Sequence, residues 1–221
     1  MKNIRINQLM ELKDNQLLKL FNNENVNKFF EFCAYNFSMN FDNKLVAFNQ
    51  NNDAQYLLSF KEWNYHYTFL KMGSNAVDVL NADKTKIINL YDSCDVTNVT
   101  NYTSNQLYLN DEELKLLEEL LLTFYNHKKY SSQIIETINY ISVLHFSKNK
   151  KDIKKPNFKY IFDDQLMCYK FFKLVTNSAG NFIYSIESRI IKNMLSKKSK
   201  STLNILNVLK KELEEQIEKV K

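Results

Sequence analysis

The chain has 221 residues, of which 44% are hydrophobic and 25% charged, and its formal net charge is +5. It can bury a substantial core, and one domain with an appendage is the expected organisation. Two glycines and one proline argue against a β-sandwich or barrel, because those folds use such residues at their turns.

The basic residues behind this positive net charge are 28 lysines and only two arginines. The charge permits a polyanionic partner without requiring one. Because arginine is the side chain that reads guanine by paired hydrogen bonds, any DNA binding is predicted to discriminate poorly between sequences.

The three cysteines form no C-x-x-C pair, which favours free thiols in a reducing compartment. The N-terminal segment lacks the apolar run of a signal peptide, and no segment approaches the roughly 18 apolar residues that span a bilayer. The sequence therefore predicts a soluble, cytoplasmic protein.

Hydrophobic spacing in the first 50 residues predicts short helices. One or two helical turns are expected between Leu9 and Phe21, interrupted by the polar residues 13–15. A second helix is expected from Val26 to about Tyr35 and a third from Asp42 to about Asn49.

Two strands are predicted next, at 75–80 and 87–91, with residues 82–85 as a hairpin loop. Residues 92–106 are polar, rich in Asn and Thr, and without clear periodicity. We interpret them as a connection.

From Asn110 onward the pattern predicts long helices. Asn110 is an N-cap followed by three acidic residues, which the positive end of a helix favours, and a second helix is expected from Ser131 to about Phe146. The basic stretch 148–156 is interpreted as a solvated loop, with a phosphate-binding patch as the alternative.

The C-terminal third is also predicted to be helical. A helix is expected over 158–175, residues 177–181 are expected to end it, and another helix follows over 182–195. After a hinge at 196–201, the last helix carries a heptad-like apolar seam at Leu206, Leu209, Leu213 and Val220. This seam either packs on the rest of the chain or pairs with a second copy.

The stretch from Phe41 to Gly73 holds the only tryptophan, Trp63, among other aromatic residues and lysines. Bases stack on aromatic rings and phosphates pair with lysines, so interleaving the two suits a single nucleic acid strand. A hydrophobic core is the alternative, because large aromatics dominate buried area. The candidate nucleic-acid-binding residues are Lys44, Phe60, Lys61, Trp63, Tyr65, Tyr67 and Lys71.

The same stretch carries an ordered set of residues: Asn43-Lys44-Leu45-Val46, Gln50, Asp53-Ala54, Ser59-Phe60 and Trp63-Asn64. It resembles the N-terminal single-stranded-DNA-binding domain of ArdC-type antirestriction proteins, as found at the front of helicase and methyltransferase proteins on mobile elements of Gram-positive bacteria. The similarity continues through Gly73, Val77, Val79 and Leu90–Asp95, and covers about a third of the chain.

This resemblance implies a small α+β module that binds single-stranded DNA. The chain departs from the family at Asn51-Asn52, where a basic residue and proline are usual. It departs again at Met72, Asn75 and Ala76, where arginine, lysine and glycine are usual. The basic residues are the expected phosphate contacts of the family, so their replacement bears on DNA affinity more than on fold.

The sequence offers little for catalysis, and we predict neither an enzyme nor a cofactor. No histidine begins the H-E-x-x-H motif that full-length ArdC-type proteins carry in a second domain. Two glycines cannot supply a P-loop or a G-x-S-x-G. The cluster of Asp83, Asp92, Asp95 and Cys94 could hold a metal, but we favour a turn device and predict no metal.

These observations predict a mostly helical α+β protein, with helices around a small antiparallel hairpin, then a helical region and a coiled-coil-like helix. The predicted divisions are 1–108, 109–198 and 199–221. The predicted function is non-catalytic single-stranded DNA binding in an antirestriction role, for a mobile element or phage. The alternative is an inhibitor that binds a host defence effector, and a homodimer through 201–221 is a third possibility.

Overall fold

The computed structural model describes residues 2–103, 106–156, 159–195 and 201–219. The chain divides into two compact units. One comprises Met1–Gln106 with Lys159–Lys173, and the other comprises Leu107–Phe158 with Leu174–Lys221. Helices dominate and the sheets are small and antiparallel, which confirms the predicted mostly helical α+β class.

The helices of the first unit are α1 (Lys2–Phe21), α2 (Val26–Tyr35), α3 (Phe41–Gln50), α4 (Phe60–Tyr65) and the single turn α5 (Thr100–Thr103). The expected interruption of α1 at residues 13–15 is wrong. Asp14 and Asn15 are exposed, whereas Leu9 and Leu17 on either side are buried. The polar residues therefore lie on the solvent face of one continuous amphipathic helix.

Within the described ranges there are five short strands: β1 (Leu58–Ser59), β2 (Phe69–Leu70), β3 (Val77–Leu80), β4 (Ile87–Tyr91) and β5 (Val96–Thr97). β4 lies between β1 and β3 in one antiparallel sheet, and β2 pairs with β5 in another. The predicted hairpin is confirmed as β3 and β4, with Val77 opposite Leu90. The predicted connection 92–106 contains β5 and α5, which are too short to show a period.

The core of the first unit is largely aromatic. Phe29 and Phe30 on α2 are both fully buried. The Phe29 ring meets Phe48 of α3 edge-on, with centroids 5.3 Å apart. Phe172 from the 159–173 segment completes the cluster, with its centroid 5.7 Å from that of Phe30. The phenylalanines of α2 thus tie this distant segment to the N-terminal helices, although the sequence had placed it in the helical region.

The second unit contains α6 (Asp111–His127), α7 (Ser132–Phe146) and α9 (Thr202–Glu218), together with most of α8 (Gln165–Met194). The predicted N-cap at Asn110 and the predicted helix start at Ser131 are confirmed. The Asn110 side chain accepts from the Glu113 backbone N–H in a capping box, and the Ser131 hydroxyl accepts from the backbone N–H of Ile134. Side-chain capping therefore fixes where both helices begin.

The helix α8 runs without interruption through residues 177–181, so the predicted break there is wrong. The predicted helix over 158–175 is confirmed only from Gln165, because residues 159–164 are not helical and Phe158 lies outside the described residues. The small residue Ala179 is fully buried, like Val175 and Ile183 on the same face. This burial outweighs the cost of about 1 kcal/mol for a glycine within a helix. None of the helices in the described ranges is long and apolar enough to cross a bilayer.

The last helix, α9, packs against α6 of its own chain. Ile205 and Leu206 are buried, and Lys210 Nζ lies 2.8 Å from Glu119 Oε2. Part of the predicted seam is therefore used within the unit. Val220 and the predicted hinge residues 196–200 lie outside the described residues.

Candidate nucleic-acid interface

The helix α4 is fixed at its start by its own residues. The Ser59 backbone N–H donates to Glu62 Oε2 at 2.8 Å, and the Glu62 N–H donates to Ser59 Oγ at 3.3 Å. The Ser-x-x-Glu spacing of Ser59 and Glu62 in the sequence predicts such a capping box, and the structure confirms it. After α4 the chain turns through Tyr67, whose φ of 56° is left-handed, and the Thr68 hydroxyl donates to the Trp63 carbonyl at 2.6 Å.

This turn exposes a run of large apolar side chains, which we call the aromatic surface. The exposed fractions are 53% for Phe60, 81% for Tyr65, 77% for Tyr67, 60% for Phe69 and 104% for Met72. Folding usually removes side chains of this size from water, because each large aromatic ring contributes substantial apolar area. Their concentration within thirteen residues of sequence marks a candidate contact surface.

Phe69 and Met72 belong to this surface, although the sequence did not select them as site residues. Phe69 lies on β2, where its neighbours Thr68 and Leu70 are buried and half-buried. Side chains alternate between the two faces of a strand, which places Phe69 outward. A strand of two residues is too short for that alternation to be recognised in sequence.

Trp63 does not belong to the surface, which corrects its predicted role in base stacking. Its exposed fraction is 0%. The indole Nε1 donates to the Tyr91 carbonyl at 2.8 Å, and Tyr102 packs edge-on with ring centroids 5.1 Å apart. The indole therefore joins α4 to β4 and is closed to a ligand, as the core interpretation of this cluster required.

Lys44 is likewise buried, with an exposed fraction of 0%, so its predicted contact with a DNA backbone is wrong in this structure. Its Nζ donates to the Phe37 carbonyl at 3.1 Å. Burial lowers the pKa of the Lys44 ammonium below its ordinary value, and the neighbouring Cys33 partly offsets this effect. Burial also raises the pKa of the Cys33 thiol to about 12.

The other two predicted lysines remain accessible. Lys61 is exposed in the first turn of α4, beside Phe60. Lys71 is exposed after β2, and its Nζ donates to the Cys94 carbonyl at 2.7 Å. Of the seven predicted contact residues, the structure keeps five on the surface: Phe60, Lys61, Tyr65, Tyr67 and Lys71.

Two residues of the ArdC-like pattern pair with the outer edge of β3. The Asn43 side-chain amide donates to the Leu80 carbonyl at 2.7 Å and accepts from the Leu80 N–H at 3.1 Å. Gln50 makes the same pair with Asp78, at 2.7 and 3.1 Å. The side-chain amides of Asn43 and Gln50 thus make the hydrogen bonds that a neighbouring strand would make with this edge of β3. Both residues therefore have a structural role here.

Asp92, in the last part of the ArdC-like pattern, also has a structural role. Asp92 is 4% exposed, and its Oδ1 accepts from the backbone N–H groups of Gln55, Tyr56 and Ser93 at 2.9, 3.2 and 2.7 Å. Farther back in the pattern, Asp53 lies 2.7 Å from Lys28 Nζ. The carboxylate of Asp92 therefore fixes the backbone that leads into β1. This agrees with our interpretation that the aspartate stabilises a turn.

The described groups with catalytic potential are Cys94 in the first unit and the pair of His145 and Glu187 in the second. Burial and a hydrogen bond with Asp92 raise the pKa of the exposed Cys94 thiol to about 11, which opposes formation of a nucleophilic thiolate. His145 Nε2 lies 2.8 Å from Glu187 Oε1 on a neighbouring helix. Within the described ranges, no three His, Cys, Asp or Glu side chains lie close enough to hold a metal.

Comparisons with known proteins do not identify a family for this chain. No protein-family model, no curated protein and no solved structure matches the chain. The resemblance to the ArdC-type domain therefore rests on the residues quoted above, and a role for the aromatic surface rests on its geometry.

Proposed function

We propose that the aromatic surface binds single-stranded DNA with little sequence preference, as part of an antirestriction or DNA-protection role that involves no catalysis. One observation carries this proposal: Phe60, Tyr65, Tyr67 and Phe69 present exposed rings within ten residues, next to the exposed Lys61 and Lys71. Rings of this kind stack on any base, and lysines neutralise phosphates without reading sequence.

The charge of the surface sets how strongly its DNA binding should respond to salt. Two lysines neutralise about two phosphates, and each contributes a slope of about −0.7 to the dependence of log affinity on log salt for single strands. The affinity should therefore fall about sevenfold between about 50 and 200 mM salt. This modest dependence follows from the burial of Lys44 and from the uncharged residues at Met72, Asn75 and Ala76.

Fluorescence anisotropy with labelled single-stranded and duplex oligonucleotides tests the proposal. The informative variant combines Tyr65→Ala with Tyr67→Asn, because asparagine tolerates the left-handed backbone at this position. Loss of two stacking rings, at about 1 kcal/mol each, should weaken single-strand binding about 30-fold. The matched control is Tyr184→Ala on α8, where the tyrosine is 68% exposed outside the aromatic surface.

The same measurement can contradict the proposal in three ways. Absence of single-strand binding at low salt would remove it, and so would an equal loss of affinity in the Tyr184→Ala control. Stronger binding to duplex than to single strands would also oppose it, because paired bases leave no faces free for rings to stack on.

A second candidate function is inhibition of a host defence effector by direct protein contact. Met72, which is fully exposed, favours it, because methionine and aromatic residues are enriched at protein interfaces. A pull-down of nuclease-treated host lysate should then recover one protein with the wild type and lose it with the Tyr65→Ala, Tyr67→Asn variant. Failure to recover any protein that depends on these two tyrosines would exclude this second function.

A further inference from the structure

The second unit contains a cavity of about 440 Å³, half open to solvent, between α6, α8 and α9. Its floor is apolar and buried, with Leu120 and Tyr125 from α6 and Phe182 and Ile186 from α8. α9 covers one side with the half-buried Leu213. A volume of this size lies near the lower end of the range for small-molecule sites, which commonly form between packed helices.

The rim of the cavity is polar, and among the described residues it carries three charges. Arg189 of α8 faces Glu212 of α9, with Nη1 3.6 Å from Oε2, and both side chains are about half exposed. The Lys128 ammonium lies over the Phe124 ring, 4.1 Å from its centroid. Two cations against one carboxylate leave the rim with a net positive charge.

The contact between Arg189 and Glu212 leaves the guanidinium available to a ligand. A separation of 3.6 Å exceeds the usual length of a charge-assisted hydrogen bond, and exposed ion pairs of this kind contribute little stability. A ligand carboxylate could therefore take the place of Glu212 beside Arg189. The planar guanidinium would then offer two parallel N–H donors to the two oxygens.

We propose that this cavity binds a small organic anion that has an apolar, ring-containing body and a single negative group. The ring body would lie on Leu120, Phe182 and Ile186, and the anionic group would meet Arg189 and Lys128 at the rim. A cationic ligand would face two positive side chains, and a neutral one would leave the ion pair undisturbed. This site is independent of the aromatic surface and of any binding of DNA.

Two probes of nearly equal shape test the charge requirement: 1-naphthoate, which carries one carboxylate, and the neutral 1-naphthamide. Isothermal titration calorimetry on the full chain should show one naphthoate site, at least tenfold tighter than any naphthamide site. Arg189→Gln should weaken naphthoate binding about tenfold and remove most of the difference between the probes. Glu212→Gln should strengthen naphthoate binding, because it removes the competing carboxylate.

A second variant tests the location. Ser185 lies at the rim on α8 and is exposed, so Ser185→Phe should fill the cavity and abolish binding. The Tyr65→Ala, Tyr67→Asn variant should bind naphthoate as the wild type does, which separates this site from the aromatic surface. Circular dichroism checks that each variant is folded.

Three results would overturn the proposal: no saturable naphthoate binding, equal affinity for the two probes, or unchanged binding in a folded Ser185→Phe variant. If Ser185→Phe does not fold, the Arg189→Gln and Glu212→Gln variants test the site instead. Unchanged affinity in both of them would exclude the site.

Discussion

Lys44 is an unusual residue, because its ammonium group is buried on the inner side of α3 with a backbone carbonyl as hydrogen-bond acceptor. Burial disfavours the charged form and lowers the pKa of the Lys44 ammonium. In the unfolded chain the same group has its ordinary pKa near 10.5. The unfolded state therefore binds the proton more tightly, and the Lys44 contribution to stability increases as pH rises between the two values.

This linkage predicts that Lys44→Met stabilises the protein, by about 1–2 kcal/mol near neutral pH, because it removes a buried polar group. The advantage of the variant should shrink as the pH is raised to 10.5 and above, because the lysine of the unfolded chain then loses its proton as well. Urea unfolding at several pH values measures the difference from the wild type.

Lys19→Met is the control, because Lys19 is exposed on α1 and its replacement should have little effect at any pH. If the stabilisation by Lys44→Met stays constant or grows as the pH rises, the pKa of Lys44 is not lowered by folding, and this account of its burial is contradicted. A loss of oligonucleotide affinity without any change in stability would instead restore Lys44 as a DNA contact.

Among the elements, β3 depends on α3 in an uncommon way. Its inner edge pairs with β4, whereas the backbone of Asp78 and Leu80 on its outer edge pairs with Gln50 and Asn43. An unpaired sheet edge is a template for association with other chains. The two amides occupy part of that edge within the unit.

We expect Asn43→Leu to destabilise the protein by about 2–4 kcal/mol, because it leaves the buried N–H and C=O of Leu80 without their partners. Urea unfolding followed by circular dichroism measures the change. Asn64→Leu is the control, since Asn64 is exposed on α4. If Asn43→Leu is as stable as the wild type and loses affinity only for oligonucleotide, Asn43 is a ligand contact instead of an edge cap.

Elements with local signals could be predicted from the sequence, and those without them could not. Ser59, Asn110 and Ser131 cap helices with their own side chains, so the predicted starts agree with the structure. The continuity of α8 through Ala179 and the formation of β5 depend on burial and on distant partners. Such contacts leave no periodic pattern in a short stretch of sequence.

For the whole molecule, the position of α9 bears on the predicted homodimer. Leu206 is fully buried in the second unit and Val208 on the same helix is 43% exposed. Part of the apolar seam is thus covered by the chain itself, which leaves a narrower stripe for a second copy. Leu209 and Leu213 remain half-buried and contribute to the cavity wall.

We therefore expect Leu206→Ala to lower stability by about 2–5 kcal/mol, the usual cost of emptying a buried leucine site, while the mass from light scattering stays that of a monomer. Val208→Ala should change neither quantity. A wild-type mass twice that of the chain, halved by Leu206→Ala, would show that the seam joins two copies.

The sequence by itself determined the mostly helical α+β class, the capped helices and the stretch in which aromatic residues and lysines concentrate, because composition, capping and periodicity are local properties. Only the tertiary structure decided which of those residues meet solvent. Trp63 and Lys44 are buried, whereas Tyr65 and Tyr67 are exposed. Nothing in a local pattern separates the two pairs, since burial depends on what the rest of the chain places against each side chain.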